Sequence, residues 1–168
     1  MDRWYALSVK PRHEFRVMEG LSSLGGAEGF LPTYRDKRLW SDRTKIIEVP
    51  LFGGYVFARF DAKSLYMPVV RLGGVKSIVG FGSDPQALAD TEIDSVRTLV
   101  ASGFPMQQWP FLKAGQKVRV EHGPLRGAEG VIVSQKDEWM MVVSIELLQR
   151  SVAVLLDRSV LRGIRSAA

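Results

Sequence analysis

The sequence of 168 residues contains no cysteine and only two histidines, His13 and His122. Without thiols the chain can form neither disulfides nor cysteine-ligated zinc sites, and it has no cysteine nucleophile. With so few histidines, a histidine-rich metal site is also disfavoured. We therefore expect no metal and no cofactor, and we expect the protein in the cytoplasm, where disulfides are rare.

Long apolar runs are missing as well. The longest stretch without a charged residue, 98–112, has 15 residues including two prolines, whereas a membrane-spanning helix needs about 20 apolar residues. Asp2 and Arg3 interrupt the start of the chain, so no secretory signal is indicated. Because 46% of the residues are hydrophobic and 24% charged, the composition is that of a globular protein without a membrane partner.

The motifs of common catalytic sites are absent. The sequence has no Gly-x-Ser-x-Gly, no His-Glu-x-x-His and no Walker-type phosphate loop. Residues 80–82 (GFG) lack the third glycine of a dinucleotide loop. His13 and Glu14 lie between Arg12 and Arg16, which is more typical of a solvated or phosphate-facing surface than of an acid–base pair. We expect no catalytic residues and no enzymatic activity.

The net charge of +5, from 23 basic and 18 acidic residues, permits nucleic-acid binding without demonstrating it. The basic residues form two groups that could neutralise phosphates. For each group, the alternative is a surface that merely keeps a loop soluble. One group lies where the first predicted strand meets the first helix, and the other surrounds a predicted hairpin: Lys10, Arg12, His13 and Arg16; Arg35, Lys37, Arg38, Arg43 and Lys45.

Residues 103–110 contain two prolines, one glycine and no charge, which predicts a linker. Before it, strands and helices interleave as β-α-β-β-β-α-β-α, a pattern that favours an antiparallel sheet packed against helices. After it, short strands separated by turn residues indicate a small β-barrel. The fold class is therefore α+β.

Three helices are predicted in the first part. The first begins near Pro11, and the second begins at Ala62 and is broken by Pro68. The third is capped by Asp90 or Thr91. Strands are predicted over 30–40, 46–49, 55–60 and 75–81. The apolar side chains expected to face the core are Phe15, Met18 and Leu21 on the first helix, and Ile93, Val96, Leu99 and Val100 on the third.

Residues 50–60 (PLFGGYVFARF) hold more large apolar side chains than one face of a sheet can bury. Because side chains alternate along a strand, Tyr55, Phe57 and Arg59 share one face, and Val56, Ala58 and Phe60 share the other. One face could be left open for a partner. The alternative is that both faces are covered within the protein.

Two segments resemble domains of a known family. Residues 115–133 (GQKVRVEHGPLRGAEGVIV) resemble the KOW motif. Trp4-Tyr5, residues 50–60 and the stretch from Gly74-Val75 to residues 80–82 resemble the NusG N-terminal (NGN) domain. Together they cover nearly the whole chain in the family's order, with the NGN segments before the KOW motif. The chain is therefore identified as a member of the NusG-type transcription elongation/antitermination factors. The glycine and proline positions that carry the KOW resemblance are Gly123, Pro124, Gly127 and Gly130.

Further segments resemble specialised members of this family. Residues 10–17 (KPRHEFRV), 40–60 and 143–156 (VSIELLQRSVAVLL) are similar to the specialised UpxY-like and, more distantly, RfaH-like paralogues. The resemblance implies an NGN-like antiparallel sheet flanked by helices over 1–102, a linker over 103–112, and a small all-β, SH3-like KOW barrel over 113–164. It also implies a non-catalytic protein, monomeric when free.

The resemblance implies that the protein binds the clamp of RNA polymerase and suppresses pausing or termination in an operon-specific way. The partners it implies are RNA polymerase, non-template DNA near the upstream fork and, as an open question, the ribosome through the KOW domain. The implied polymerase-binding residues are Phe52, Tyr55, Phe81, Ile93 and Val96. A second-pincer contact is implied for Ser64, Leu65 and Tyr66, and nucleic-acid binding for Lys10, Arg12, His13 and Arg16.

Two alternatives stay open. The protein could be a general NusG-like elongation/termination factor, or a ribosome-associated RNA-binding protein built on a KOW module.

A further expectation concerns the conformation of residues 113–162. The corresponding segment forms a helical hairpin in the RfaH-like relative. Here the β-branched run Val131-Ile132-Val133 favours strands, and Pro124 with its neighbouring glycines disfavours a helix. We predict a β-barrel for this segment.

Overall fold

The computed structural model describes residues 1–166 and divides into two compact units. The first contains residues 1–33 and 47–90, and the second contains residues 34–46 and those from 91 onward. In the described part of the chain, no helix has both the length and the apolar character that crossing a bilayer requires.

The first unit is built on a four-stranded antiparallel sheet in the order β2-β5-β1-β6. Leu7 in the central strand β1 pairs with Val56 on one side and with Ile78 on the other. The elements up to residue 90 are β1 (Arg3–Val9), α1 (Glu14–Ser23), β2 (Glu28–Phe30), β3 (Thr33–Leu39), β4 (Thr44–Pro50), β5 (Tyr55–Phe60), α2 (Ala62–Val70), β6 (Val75–Ile78), β7 (Gly80–Phe81) and β8 (Asp84–Pro85).

Both faces of β5 are buried. Val56, Ala58 and Phe60 pack in a core with Val17 and Leu21 of α1, while Phe57 is buried on the opposite face and contacts the rings of Phe30 and Phe52. The structure therefore supports the alternative in which the protein itself covers both faces of this strand.

The second unit contains a six-stranded sheet in the order β14-β10-β11-β12-β13-β9. Val131 pairs with Val142, and Val143 pairs with Val152. The elements of this part are α3 (Asp90–Ala101), β9 (Met106–Trp109), β10 (Lys117–Val120), β11 (Glu129–Gln135), β12 (Glu138–Ile145), a 3₁₀ turn (Glu146–Leu148), β13 (Arg150–Leu155), α4 (Arg158–Leu161) and β14 (Ile164–Ser166).

The α+β class and the strand content of residues 113–162 are as predicted, and the NGN-plus-KOW arrangement agrees with the two sheets. The interval predicted as a linker, however, contains strand β9, which pairs with β13 at the edge of the sheet. Pro105 and Pro110 lie just outside this strand, where their missing N–H groups cost the sheet no hydrogen bond. Trp109 packs against the apolar cluster of Met140, Val142 and Ala153, which explains why the segment is ordered.

The helices of the first unit differ from the expected ones. Helix α1 begins at Glu14 rather than near Pro11, and its buried residues are Glu14, Val17 and Leu21. Phe15, expected in the core, is 49% exposed. Helix α2 continues through Pro68 to Val70. The proline is tolerated because it lies in the last turn, where it removes a single helical hydrogen bond.

Two predicted strands are each divided in the structure. The strand predicted over 30–40 is interrupted after Phe30, so that β2 and β3 flank the buried Pro32. The strand predicted over 75–81 becomes β6 and the short β7. Helix α4 and strand β14 were not predicted from the sequence.

Candidate interaction surfaces

The basic residues of the first group, Lys10, Arg12, His13 and Arg16, come together at the turn between β1 and α1. The backbone N–H of His13 donates to the carbonyl of Lys10 at 3.1 Å, and His13 Nδ1 lies 2.9 Å from the carbonyl of Pro11. Arg12 has a positive φ of 65°. The turn is thus a defined structure that holds three cationic side chains close together.

A second turn supports this cluster. The N–H of Lys10 donates to the carbonyl of Gly74 at 2.8 Å. Gly74 has a φ of +100°, and a Cβ there would lie 3.0 Å from the Cβ of His13, so this position requires glycine. A Cβ on Gly73 would lie 3.5 Å from the guanidinium of Arg16, which places that side chain beside the turn.

Glu14 joins the basic turn to a third turn. Glu14 is only 7% exposed, and its carboxylate accepts a hydrogen bond from the N–H of Gly54 at 3.0 Å. Gly54 lies between Phe52 and Tyr55, two residues expected to bind polymerase. Sequence reasoning placed Glu14 on a solvated surface, because a glutamate in the first turn of a helix is usually exposed. No local signal identifies its distant partner.

The five residues expected to bind polymerase differ in exposure. Phe52 is 1% exposed and packs edge-on against Phe57, whereas Tyr55 is half-buried and Phe81 is 73% exposed. These three belong to the first unit. Ile93 and Val96 are buried on α3, which belongs to the second unit. Of the five, Tyr55 and Phe81 therefore present accessible side chains.

The residues expected to contact the second pincer lie in the first half of α2. Ser64 is exposed, while Leu65 and Tyr66 are half-buried against the core. Asp61 caps the start of the helix, because its carboxylate accepts from the N–H of Lys63 at 3.0 Å. A hydrogen bond from the N-terminal ammonium group is the main cause that lowers the pKa of Asp61.

Three of the KOW residues, Gly123, Pro124 and Gly127, lie in the connection between β10 and β11, and Gly130 is the second residue of β11. The N–H of Gly127 donates to the carbonyl of Val120 at 2.9 Å. Gly130 lies against the neighbouring strand, where a Cβ would be 2.5 Å from the carbonyl oxygen of Val142. Leu125 and Ala128, which lie between these glycines in the sequence, are fully buried. Neither residue was expected in the core.

Within the second unit, α3 is hydrogen-bonded to the barrel segment. Ser95 Oγ accepts from the N–H of Glu129 at 3.0 Å, and the Glu92 carboxylate accepts from the N–H of Glu146 at 3.2 Å. Both bonds border a cleft of about 230 Å³ that Lys117 also lines. Burial raises the pKa of Glu92, with the nearby Lys117 acting in the opposite direction.

Across residues 1–166, no three histidine, aspartate or glutamate side chains converge as metal ligands would. The described structure is a two-unit α+β protein in which the hydrogen bond from Gly54 to Glu14 joins the basic turn to the glycine-rich turn before β5. Residues 2–97, more than half of the chain, match the family described as transcription termination factor NusG. The chain belongs to the NusG family.

Curated relatives agree with this assignment. The chain is 28% identical to the transcription termination/antitermination protein NusG of Deinococcus radiodurans, with 93% of this chain and 96% of that protein covered. It is 23% identical to the protein of the same name from Campylobacter jejuni, covering 89% and 88% of the two chains. A solved structure of Thermotoga maritima NusG, titled for its domain interaction, superimposes with a TM-score of 0.58 at 20% identity, covering 100% and 98%.

Proposed function

We propose that this protein is a transcription elongation/antitermination factor that binds RNA polymerase and suppresses pausing or termination without catalysing a reaction. Besides membership of the NusG family, one observation carries the proposal. The bond from Gly54 N–H to Glu14 fixes the basic turn of Lys10, Arg12 and Arg16 relative to the turn that leads into Tyr55. A cationic surface and an aromatic side chain are therefore held together by a buried carboxylate.

The polymerase-binding surface we propose is centred on Tyr55 and Phe81. Aromatic side chains contribute much of the affinity of protein interfaces, and these two are accessible. Phe52 supports the turn from beneath through its contact with Phe57. Ile93 and Val96 are buried, and we assign them an indirect role in binding the same partner, through their support of α3. The half-buried Leu65 and Tyr66 with the exposed Ser64 are proposed to touch the opposite pincer of the polymerase.

The basic turn is proposed to contact non-template DNA near the upstream fork. Lys10, Arg12 and Arg16 supply charges that can pair with phosphates, and His13 anchors the turn through Pro11. A factor that contacts both pincers and the DNA disfavours the open, paused polymerase by binding the closed state more tightly.

A pull-down with core RNA polymerase tests the protein contact. Tyr55→Ala and Phe81→Ala should each weaken binding by roughly 1–3 kcal/mol if these side chains are anchors. Phe15→Ala is the matched control, because Phe15 is a half-exposed aromatic residue on α1 with no assigned role. Equal retention of all three variants would overturn the assignment.

Crosslinking to non-template DNA in a polymerase complex tests the basic turn. Lys10→Gln, Arg12→Gln and Arg16→Gln combined should reduce the crosslink and its salt dependence, since fewer counterions are released. The control removes three exposed charges from the second unit, with Arg126→Gln, Lys136→Gln and Arg158→Gln combined. The assignment fails if the two triple variants crosslink equally at matched polymerase occupancy.

The resemblance of residues 10–17, 40–60 and 143–156 to UpxY-like and RfaH-like paralogues supports an operon-specific role. Such a factor should change elongation only on templates that carry its recruiting DNA element, whereas a general NusG-like factor should act on every template. Co-elution with ribosomal subunits rather than with polymerase would favour the ribosome-associated alternative. Co-elution with both would support a KOW–ribosome contact in addition.

A further inference from the structure

Strands β3 and β4 pair with each other as a separate two-stranded ribbon. This ribbon carries an unusual concentration of charge. Residues 34–46 contain five basic and two acidic side chains, a net charge of +3 out of +5 for the whole sequence. All five basic side chains are exposed: Arg35, Lys37, Arg38, Arg43 and Lys45. The proposed function assigns no role to this segment.

Hydrogen bonds at the tip fix which side chains share a face. The N–H of Trp40 donates to the carbonyl of Arg43 at 2.8 Å, and the N–H of Arg43 donates back to Trp40 at 3.3 Å. Continuing the ladder from this pair places Arg38 directly opposite Lys45, on the same face as Trp40 and Arg43. The Lys45 ammonium lies 5.8 Å from the centre of the Trp40 ring, in agreement with this register.

The opposite face has a different character. By alternation, Arg35, Lys37 and Leu39 point away from Trp40. Leu39 is 87% exposed and Trp40 is 54% exposed. By the same alternation, the ribbon separates a face with Tyr34, Trp40 and three cations from a face with two cations and the exposed aliphatic side chains of Leu39 and Ile46.

The arrangement of charges on the Trp40 face is unfavourable for a surface whose only role is to keep the ribbon soluble. Like charges directly opposite each other destabilise a pair of strands, and Arg38 and Lys45 are such a pair. The carboxylate of Asp36, 3.4 Å from Arg38, offsets one of the two charges. An anionic ligand over this face would relieve the remaining repulsion. An indole beside the cations adds a flat surface on which an unpaired base can stack.

We propose that this face, made of Arg38, Trp40, Arg43 and Lys45, binds single-stranded DNA. The indole stacks on one base, and the three cations neutralise the neighbouring phosphates. A single strand is favoured over a duplex because stacking on a side chain needs a base that is free of its own stack. The choice of DNA rests on the proposed function, in which the exposed single strand is non-template DNA.

The test measures the fluorescence anisotropy of a labelled oligodeoxythymidine of 15 nucleotides with the full chain and no polymerase. Trp40→Ala should weaken binding about 5- to 100-fold, because one stacked base is lost. Leu39→Ala, the adjacent exposed apolar residue on the other face, should change it less than about twofold. Both side chains are exposed, and unchanged circular dichroism will show that the variants fold.

A second pair of variants separates this face from general charge. Arg38→Gln with Lys45→Gln should reduce the slope of log affinity against log salt by about 1.4, since each phosphate contact on a single strand contributes about 0.7. Arg35→Gln with Lys37→Gln removes the same net charge from the opposite face and should reduce it clearly less. Equal slopes for the two double variants, or equal losses for Trp40→Ala and Leu39→Ala, would overturn the proposal.

Two further arms identify the ligand. Equal or tighter binding of oligouridine RNA, or of a 15-base-pair duplex, would overturn the choice of single-stranded DNA. Pull-down with polymerase separates this inference from the proposed function. If the wild type binds polymerase but not the oligonucleotide, the inference about the ribbon fails alone. If it binds the oligonucleotide through Trp40 but not polymerase, the proposed function fails and the single-strand site stands.

Discussion

Glu14 shows how one buried side chain can organise a surface. Its carboxylate accepts from the Gly54 N–H at 3.0 Å, and the residue as a whole is almost fully buried. Glu14→Ala should lower the free energy of unfolding by about 1–3 kcal/mol, because a hydrogen bond to a charged acceptor is lost in a part-buried place. Glu14→Gln keeps an acceptor oxygen and should lose less. Urea denaturation of the two variants checks the order, and a larger loss for Glu14→Gln would contradict it.

Sequence reasoning placed the cationic residues correctly at one turn but exchanged the environments of two neighbours. It buried Phe15 and exposed Glu14, whereas the structure does the reverse. Apolar periodicity on a helix of ten residues fits two adjacent faces almost equally well. The partner that decides between them, Gly54, lies 40 residues away and leaves no trace in the local pattern.

Glu92 makes the stability of the second unit depend on pH. Burial raises its pKa above the ordinary value of 4.5, and this effect outweighs the hydrogen bond from the Glu146 N–H and the charge of Lys117, both of which lower the pKa. The ionised form is therefore disfavoured in the folded state. The contribution of Glu92 to stability is fully present below pH 4.5 and is lost as the pH rises through the raised value.

Glu92→Gln should remove this dependence, because a neutral amide oxygen can still accept from the N–H of Glu146. Relative to the wild type, the variant should gain stability between pH 4 and pH 7, as measured by chemical denaturation at both values. Asp94→Asn, on the exposed side of the same helix, is the control. If the free energies of unfolding of wild type and variant differ by the same amount at both pH values, the assignment is contradicted.

Among the secondary-structure elements, β9 departs most from the prediction made from the sequence. Proline, glycine and the absence of charge predicted a linker, yet the prolines bracket an edge strand. Order in this segment comes from Trp109 against Met140 and Val142, and from Ser151 Oγ accepting the N–H of Leu112 at 3.1 Å. Both contacts join residues more than 30 positions apart, so no local pattern could predict them.

Trp109→Ala should therefore destabilise the second unit by about 1–3 kcal/mol, since a half-buried aromatic surface is removed from an apolar cluster. Trp139 on β12 is exposed and provides the matched control. Thermal unfolding of Trp109→Ala and Trp139→Ala should differ by several degrees. Equal midpoints would show that the Trp109 side chain does not anchor β9 to the sheet.

Gly130 tests the close approach of two strands. A Cβ there would lie 2.5 Å from the carbonyl oxygen of Val142, which is backbone and cannot move away alone. Gly130→Ala should cost about 1–3 kcal/mol. Gly25→Ala is the control, because a Cβ on Gly25 meets no atom within 4 Å. Urea denaturation should separate the two variants, and a neutral Gly130→Ala would mean that the strands are further apart.

For the whole molecule, the α+β class and the β character of residues 113–162 followed from the sequence, whereas strands β9 and β14 did not. The grouping of α3 with the barrel segment did not. Its hydrogen bonds run from backbone N–H groups of Glu129 and Glu146 to Ser95 and Glu92. Backbone donors are the same in every sequence, so only the three-dimensional arrangement reveals such contacts.

These bonds also bear on whether residues 113–162 stay as strands in the intact chain. On β12, Met140 and Val142 are buried on one face, and Met141, Val143 and Ile145 on the other. A strand can bury both faces of such an unbroken apolar run, whereas a helix on a surface buries one stripe. A helical form would in addition change the positions from which Glu129 and Glu146 donate to α3. Backbone chemical shifts of the full chain should therefore report strands for residues 131–145, and helical shifts there would contradict the prediction.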